Sequence, residues 1–219
     1  MKLAIVGVGR LGCALGKRLA VAGHEIIYAQ GPAARSAAFA HPHARAAASA
    51  DAVRDADLTI LTVPFGAVPG TLADCGDLDG KLIWSCVPAL KPDASGLEVG
   101  FDQSVAETVQ RLASGARVVG AVLPCAEVVA AGLNQFGGAR PTTWMCGGER
   151  RDKAVISRLL EDLGTDPVDA GGLAAARLIE PAMALVERQA RSVEPPRMLA
   201  LRMIEQGWEQ LDHHLALLA

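Results

Sequence analysis

Short apolar runs closed by glycine or proline alternate along this chain with segments whose apolar residues recur at helical spacing. The run KLAIVG (residues 2–7) predicts a strand, and LGCALGKRLAVAG (11–23) predicts a helix stopped by Gly23. HEIIYA (24–29) predicts a second strand and the alanine-rich AARSAAFA (33–40) a second helix. DLTILTVP and KLIWSCVP are continuous apolar strands ended by Pro64 and Pro88. Unbroken rather than alternating apolar strands are expected where helices cover both faces of a parallel sheet. SVAETVQRLASG predicts a helix capped by Ser104 and stopped by Gly115, with the strand ARVVGAVL after it. TTWMCGG, RRDKAVISRLLEDLG and DPVDAGG follow as strand, helix and strand, and residues 173–219 read as almost wholly helical, divided by Pro181 and by the EPP at 194–196. The pattern predicts a doubly wound α/β protein with a mainly parallel sheet in a domain of residues 1–172 and a C-terminal helical extension of residues 173–219.

The first strand-to-helix junction carries the chemistry. Gly7, Gly9 and Gly12 form G-x-G-x-x-G directly after that strand. The first glycine allows the sharp turn, the second lets the backbone approach a pyrophosphate, and the third lets the helix pack close while its N–H groups face the phosphates. An acidic residue expected at the end of the second strand in an NAD enzyme is missing, since Tyr28, Ala29, Gln30 and Gly31 stand there. With Arg10 inside the loop and Arg35 shortly after the strand, the absence favours NADP(H). Arg35 reads equally as a plain surface charge of an alanine-rich helix.

The remaining composition narrows the function by exclusion. In 219 residues, 51% are hydrophobic and 21% charged, enough for one sizeable core with an appendage. A net charge of −3 and no polybasic run argue against nucleic acid and anionic membranes, leaving a small-molecule partner. Residues 117–133, the longest apolar stretch, contain Pro124 and Glu127 and do not suit a bilayer. Glycines and Arg10 interrupt the apolar start, so no secretory signal is expected. Five cysteines, widely spaced and without a C-x-x-C pair, predict reduced thiols of a cytoplasmic protein rather than a disulfide framework or zinc site. No metal site is expected: His41 and His43 lack a third ligand at matching spacing, and adjacent His213 and His214 cannot share a helix face. No nucleophile motif appears either, and no catalytic residue is assigned; hydride transfer between two rings depends on proximity and orientation more than on an acid or base.

GVGRLG, GHEIIYA, LTVP, SVAETV and, above all, CGGERRDKAVISRLLEDLGTDPVDAGGLAAARLIEP resemble the NADP oxidoreductases that exchange hydride with the deazaflavin coenzyme F420. The resemblance spans nearly the whole chain. It implies a Rossmann domain whose C-terminal helices close over the nicotinamide, in a homodimer, with a flavin or deazaflavin as second substrate. It places Arg10, Leu11 and Gly12 at the pyrophosphate, Gln30 and Arg35 at the 2′-phosphate side, and Val63 and Pro64 along the path from ribose to nicotinamide. Ser85, Pro88, Arg177 and Glu180 would lie toward the second substrate, although Arg177 and Glu180, three apart on one helix, also suit a mutual pair. Three departures stand out: Gln30-Gly31 replaces the family's Ser-Arg, Gly172 replaces a proline, and Leu123, followed by Pro124 and Cys125, stands where relatives carry a polar Asn or His. A reductase of C=N or C=O bonds would need a proton donor near Leu123, and a non-catalytic dinucleotide sensor would need none; both stand as rival readings.

Overall fold

β1 (Lys2–Val6), β4 (Leu58–Leu61) and β5 (Leu82–Ser85) lie side by side at the centre of the computed structural model, and nearly every residue in them is buried. The structure describes residues 1–29, 37–38, 41–123, 129, 138–194 and 197–204. Eight strands form one sheet in the order β3-β2-β1-β4-β5-β6-β7-β8. β2 is Glu25–Ala29, β3 Ala44–Ala47, β6 Arg117–Gly120, β7 Thr142–Gly147 and β8 Asp166–Asp169. All neighbours run parallel except β6 and β7, which pair antiparallel through Val119–Gly147 and Gly120–Cys146. The doubly wound, mainly parallel sheet expected from the apolar runs is therefore the observed one.

Helices cover both faces, which is why the central strands carry no polar alternation. On one side α1 (Arg10–Val21) and the helix Arg150–Asp162 bury Leu15, Leu19, Ile156 and Leu159 against Leu3, Ile5 and Trp84. On the other, Ser49–Asp55 (α2), Val68–Asp74 (α3) and Val105–Leu112 (α4) bury Val53, Leu72 and Val109 against Val6, Leu61 and Ile83. In chain order Arg150–Asp162 is α5 and the last described helix, Ala176–Arg191, is α6. α6 covers a third cluster made by Ala106, Val122, Cys146, Ile179 and Met183.

Ser104 caps α4 as expected: its hydroxyl accepts from Glu107 N while Glu107 accepts from Ser104 N. The helix ends at Leu112, three residues before Gly115. Pro181 does not divide the C-terminal helix, which runs through it from Ala176 to Arg191. Placed at the sixth position, the proline withholds a single N–H from the ladder, and Ile179, Glu180, Met183 and Ala184, buried on both sides of it, keep the helix seated. Residues 197–204 are not helical, contrary to the pattern. Their backbone is satisfied at the start of β7, where Thr142 N donates to Leu201 O and Met203 N donates to Thr142 Oγ1, each at 2.8 Å. β3, α2 and α3 had no counterpart in the sequence reading: ARAA is too short and alanine-rich to signal a strand, and Pro69 and Gly70 obscure the start of α3. The predicted helix at 33–40 lies outside the described residues except Ala37 and Ala38, as do Pro124, Cys125, His213, His214 and residues 205–219.

The two borders of the sheet are unlike its centre. β3 is a half-exposed strand with Arg45 in it, and β8 is the four-residue DPVD.

Candidate dinucleotide and substrate cleft

The strand order reverses between β1 and β4, so the loops leaving their carboxyl ends diverge and open a crevice. Gly7 leaves β1 with φ +107°, a turn that side-chain-bearing residues rarely make, and its carbonyl accepts a hydrogen bond from Thr62 Oγ1 at 2.6 Å. A Cβ at Gly12 would stand 2.1 Å from that carbonyl oxygen, so only glycine lets the first turn of α1 rest on the loop. Gly9 differs from both. It is the extended N-cap residue of α1, and a Cβ built on it meets nothing within 4 Å. Among the described residues no side chain caps α1, and its first turn holds no acidic residue, so the positive end of the helix dipole at Gly9 suits a pyrophosphate.

That space continues into a cleft of about 570 Å³ along the carboxyl ends of the strands. Gly9, Arg10 and Leu11 line one end, and Thr62 to Phe65 follow β4. Cys86 and Pro88 after β5, with Val122 and Leu123 after β6, form an apolar stretch that suits a nicotinamide ring. Glu187, Ala190 and Arg191 of α6, with Arg197 and Met198, wall the far side. Arg191 bridges the two walls: it pairs with Glu187 and donates to the carbonyl of Pro92 at 3.3 Å. Burial pushes the Cys86 thiol up to about 12, so it meets the cleft as a neutral, unreactive group.

Of the residues singled out in the sequence, Gly9, Arg10, Leu11, Val63, Pro64, Pro88 and Leu123 come together in this cleft, while Gly7 and Gly12 shape the loop beneath it. Ser85 is buried in β5 and does not line it. Gln30 and Arg35 lie outside the described residues. Arg177 and Glu180 sit away from the cleft, and the mutual pair suggested by their spacing is not formed. Arg177 binds Glu107 through Nε and Nη2 at 2.7–3.1 Å, holding that carboxyl down at about 2. Glu180 accepts from the backbone N–H of Val105 at 2.7 Å and of Ala106 at 3.0 Å. Each finds a better partner on α4 than on its own helix, because the first N–H groups of α4 and its Glu107 are presented directly to α6.

Thr62, Lys91, Arg191 and Arg197 were missed by the sequence reading. Thr62 had a signal, as the polar residue just after an apolar strand; the others lie on loops and a helix end that no motif marks. The rings of His41 and His43 lie tilted at 44° with centroids 5.6 Å apart, His43 N donating to His41 Nδ1, and no metal-ligating group of three occurs among the described residues. No helix among them is long and apolar enough to cross a membrane, and Cys13, Cys75, Cys86 and Cys146 are free.

A Gly9→Ala variant separates the loop's ligand role from its structural one. Its backbone suits alanine and its Cβ has room, so thermal stability is expected to match wild type while NADPH affinity falls about tenfold, as a methyl group meets the phosphates. Calorimetry and a fluorescence titration measure the two.

Comparison with known proteins agrees with this geometry. Residues 2–89 match the family described as NADP oxidoreductase, coenzyme F420-dependent. The F420-dependent NADP reductase of Methanothermobacter marburgensis is 29% identical over 200 residues, 82% of this chain and 88% of that protein. A crystal structure from Arthrobacter sp. FB24, of a protein assigned to the F420-dependent NADP reductases, superposes with a TM-score of 0.83 at 23% identity, covering 94% of this chain and all of that one. A reductive aminase from Aspergillus terreus in complex with NADPH shares the fold at TM-score 0.62 and 22% identity, over 83% of this chain and 59% of its own. The crevice above Gly9 thus lies at the dinucleotide-binding position of a Rossmann fold, within the stretch that matches the coenzyme F420-dependent NADP oxidoreductases.

Proposed function

We propose that this protein is an NADP(H)-dependent oxidoreductase that passes hydride between the nicotinamide and a flat conjugated acceptor of the flavin or deazaflavin class. The observation that carries the reading is the open space at Gly9, at the N-terminus of α1 and at the switch point of the sheet, continuous with an apolar stretch ending at Leu123. NADPH when bound supplies a hydride, and the proton that accompanies reduction of the acceptor comes from water. The protein's own task is placement. The loop from Gly7 to Gly12 binds phosphates through backbone N–H groups, with Arg10 beside them, and Gln30 and Arg35 are proposed for the 2′-phosphate side. Val63 and Pro64 set the path of the ribose, while Pro88, Val122 and Leu123 hold the rings face to face. Ser85 supports that floor from within β5.

An apolar wall at Leu123 matches an acceptor that needs no proton from the protein at the moment of transfer. In this reading residues 1–172 carry the coenzyme and 173–219 cover the acceptor, in a cytoplasmic homodimer. Leu178 and Leu185, two turns apart on α6 and 73% and 58% exposed, supply a face for the second copy. The test follows NADPH absorbance with flavins, deazaflavins, quinones and cyclic imines, alongside binding of NADPH and NADH. Consumption of NADPH with a flavin or deazaflavin is expected. Turnover of imines alone would reassign the acceptor, binding without turnover would make the protein a sensor, and no binding of either nucleotide would remove the proposal.

A further inference from the structure

α4 is eight residues long, and its first two N–H groups are satisfied by another helix. Glu180, 3% exposed on α6, reaches Val105 N through Oε2 and Ala106 N through Oε1. The same helix supplies Glu187, Ala190 and Arg191 to the cleft wall two to three turns further on. We propose that Glu180 is a positioning residue, whose two hydrogen bonds to the start of α4 set the stance of α6 over the cleft and hence how tightly nucleotide and acceptor are held. The proposal rests on the cleft being the site of the proposed reaction.

Among the described residues no cation pairs with this carboxyl. Arg177, on the same helix, is engaged by Glu107; Glu107 faces Glu180 from α4 with a like charge; Cys146 faces it from β7 as a neutral thiol. Two N–H groups and the dipole of α4 are the carboxylate's support, and burial outweighs them, pushing Glu180 up to about 7. When α6 lifts and water reaches the carboxyl, the ordinary lower value returns. The seated form therefore binds a proton that the lifted form releases, so the seat is firmest in acid and weakens as pH rises toward 7, with no further change above it.

The experiment uses the full chain. Hydrogen–deuterium exchange of residues 176–191 and of the Val105 and Ala106 amides, corrected for intrinsic exchange rates, is followed from pH 5 to 8.5 beside the Kd for NADPH and the KM and kcat for an accepted substrate. In wild type, protection is expected to fall about tenfold or more between pH 5 and 7.5, with Kd and KM rising in step and kcat changing less than about twofold. Glu180→Gln is expected to flatten all three pH profiles. Glu180→Asp keeps the charge but withdraws it by one methylene, and is expected to keep a pH profile while raising KM throughout. A flat wild-type exchange profile, or a Gln variant that retains the wild-type pH dependence, overturns the proposal; should the Gln variant not fold, the wild-type exchange series decides. Exchange requires no turnover, so absence of enzymatic activity would count against the proposed function and leave this test intact.

Discussion

Gly12→Ala is expected to abolish useful NADPH binding, raising Kd by about 100-fold or more, and to cost about 3 kcal/mol of stability. The added Cβ would stand 2.1 Å from the carbonyl oxygen of Gly7 and 2.9 Å from Thr62 Oγ1. The first contact is with backbone, which cannot rotate away as a side chain would. Relief requires α1 to lift off the loop, and that breaks the hydrogen bond from Thr62 to Gly7 and turns the first N–H groups of α1 away from the crevice. Urea denaturation and a fluorescence titration with NADPH measure both effects. Wild-type affinity in this variant would show that the loop does not hold the coenzyme. Read beside Gly9→Ala, it tells a glycine required by protein packing from one required by the ligand.

The largest loss of stability is expected at Trp84, where replacement by Ala should cost about 4 kcal/mol. The indole is fully buried in β5, and its Nε1 donates to the carbonyl of Ala121 at 2.8 Å. Ala121 directly precedes Val122 and Leu123 in the cleft, so the indole also ties down the ring-binding end. Trp84→Phe keeps most of the volume but leaves that buried carbonyl unpaired, at about 2 kcal/mol. It should weaken NADPH binding severalfold. Urea midpoints at unchanged slope check the first effect, and titration checks the second. A Phe variant as stable as wild type would mean that water or a backbone shift satisfies Ala121.

The central strands and the nucleotide loop were legible because each rests on local pattern. Lys2–Val6, Leu58–Leu61 and Leu82–Ser85 announce double-sided burial by lacking polar alternation, and the three glycines follow at fixed offsets. Pro181 misled because a proline's cost depends on its place in the helix and on the packing around it, and neither can be read from the residue alone. Residues 197–204 misled because Thr142, some sixty positions earlier, supplies their backbone partners. Arg177 and Glu180 show the same limit most clearly: spacing three apart suggests a pair, yet each side chain finds its partner on α4, seventy or more residues away. The far wall of the cleft, with Arg191 and Arg197, is assembled by tertiary packing and has no signature along the chain.

The contrast between the borders of the sheet and its centre bears on how copies of this protein meet. A bare strand edge is a template for a neighbouring chain, but here one rim is a short alanine strand interrupted by a guanidinium, and the other combines two aspartates with Pro167, which has no N–H to offer. Continuation of the sheet from one molecule into the next is discouraged at both rims. Concentrated solutions are therefore expected to resist fibrillar growth, and orderly assembly is left to helical surfaces.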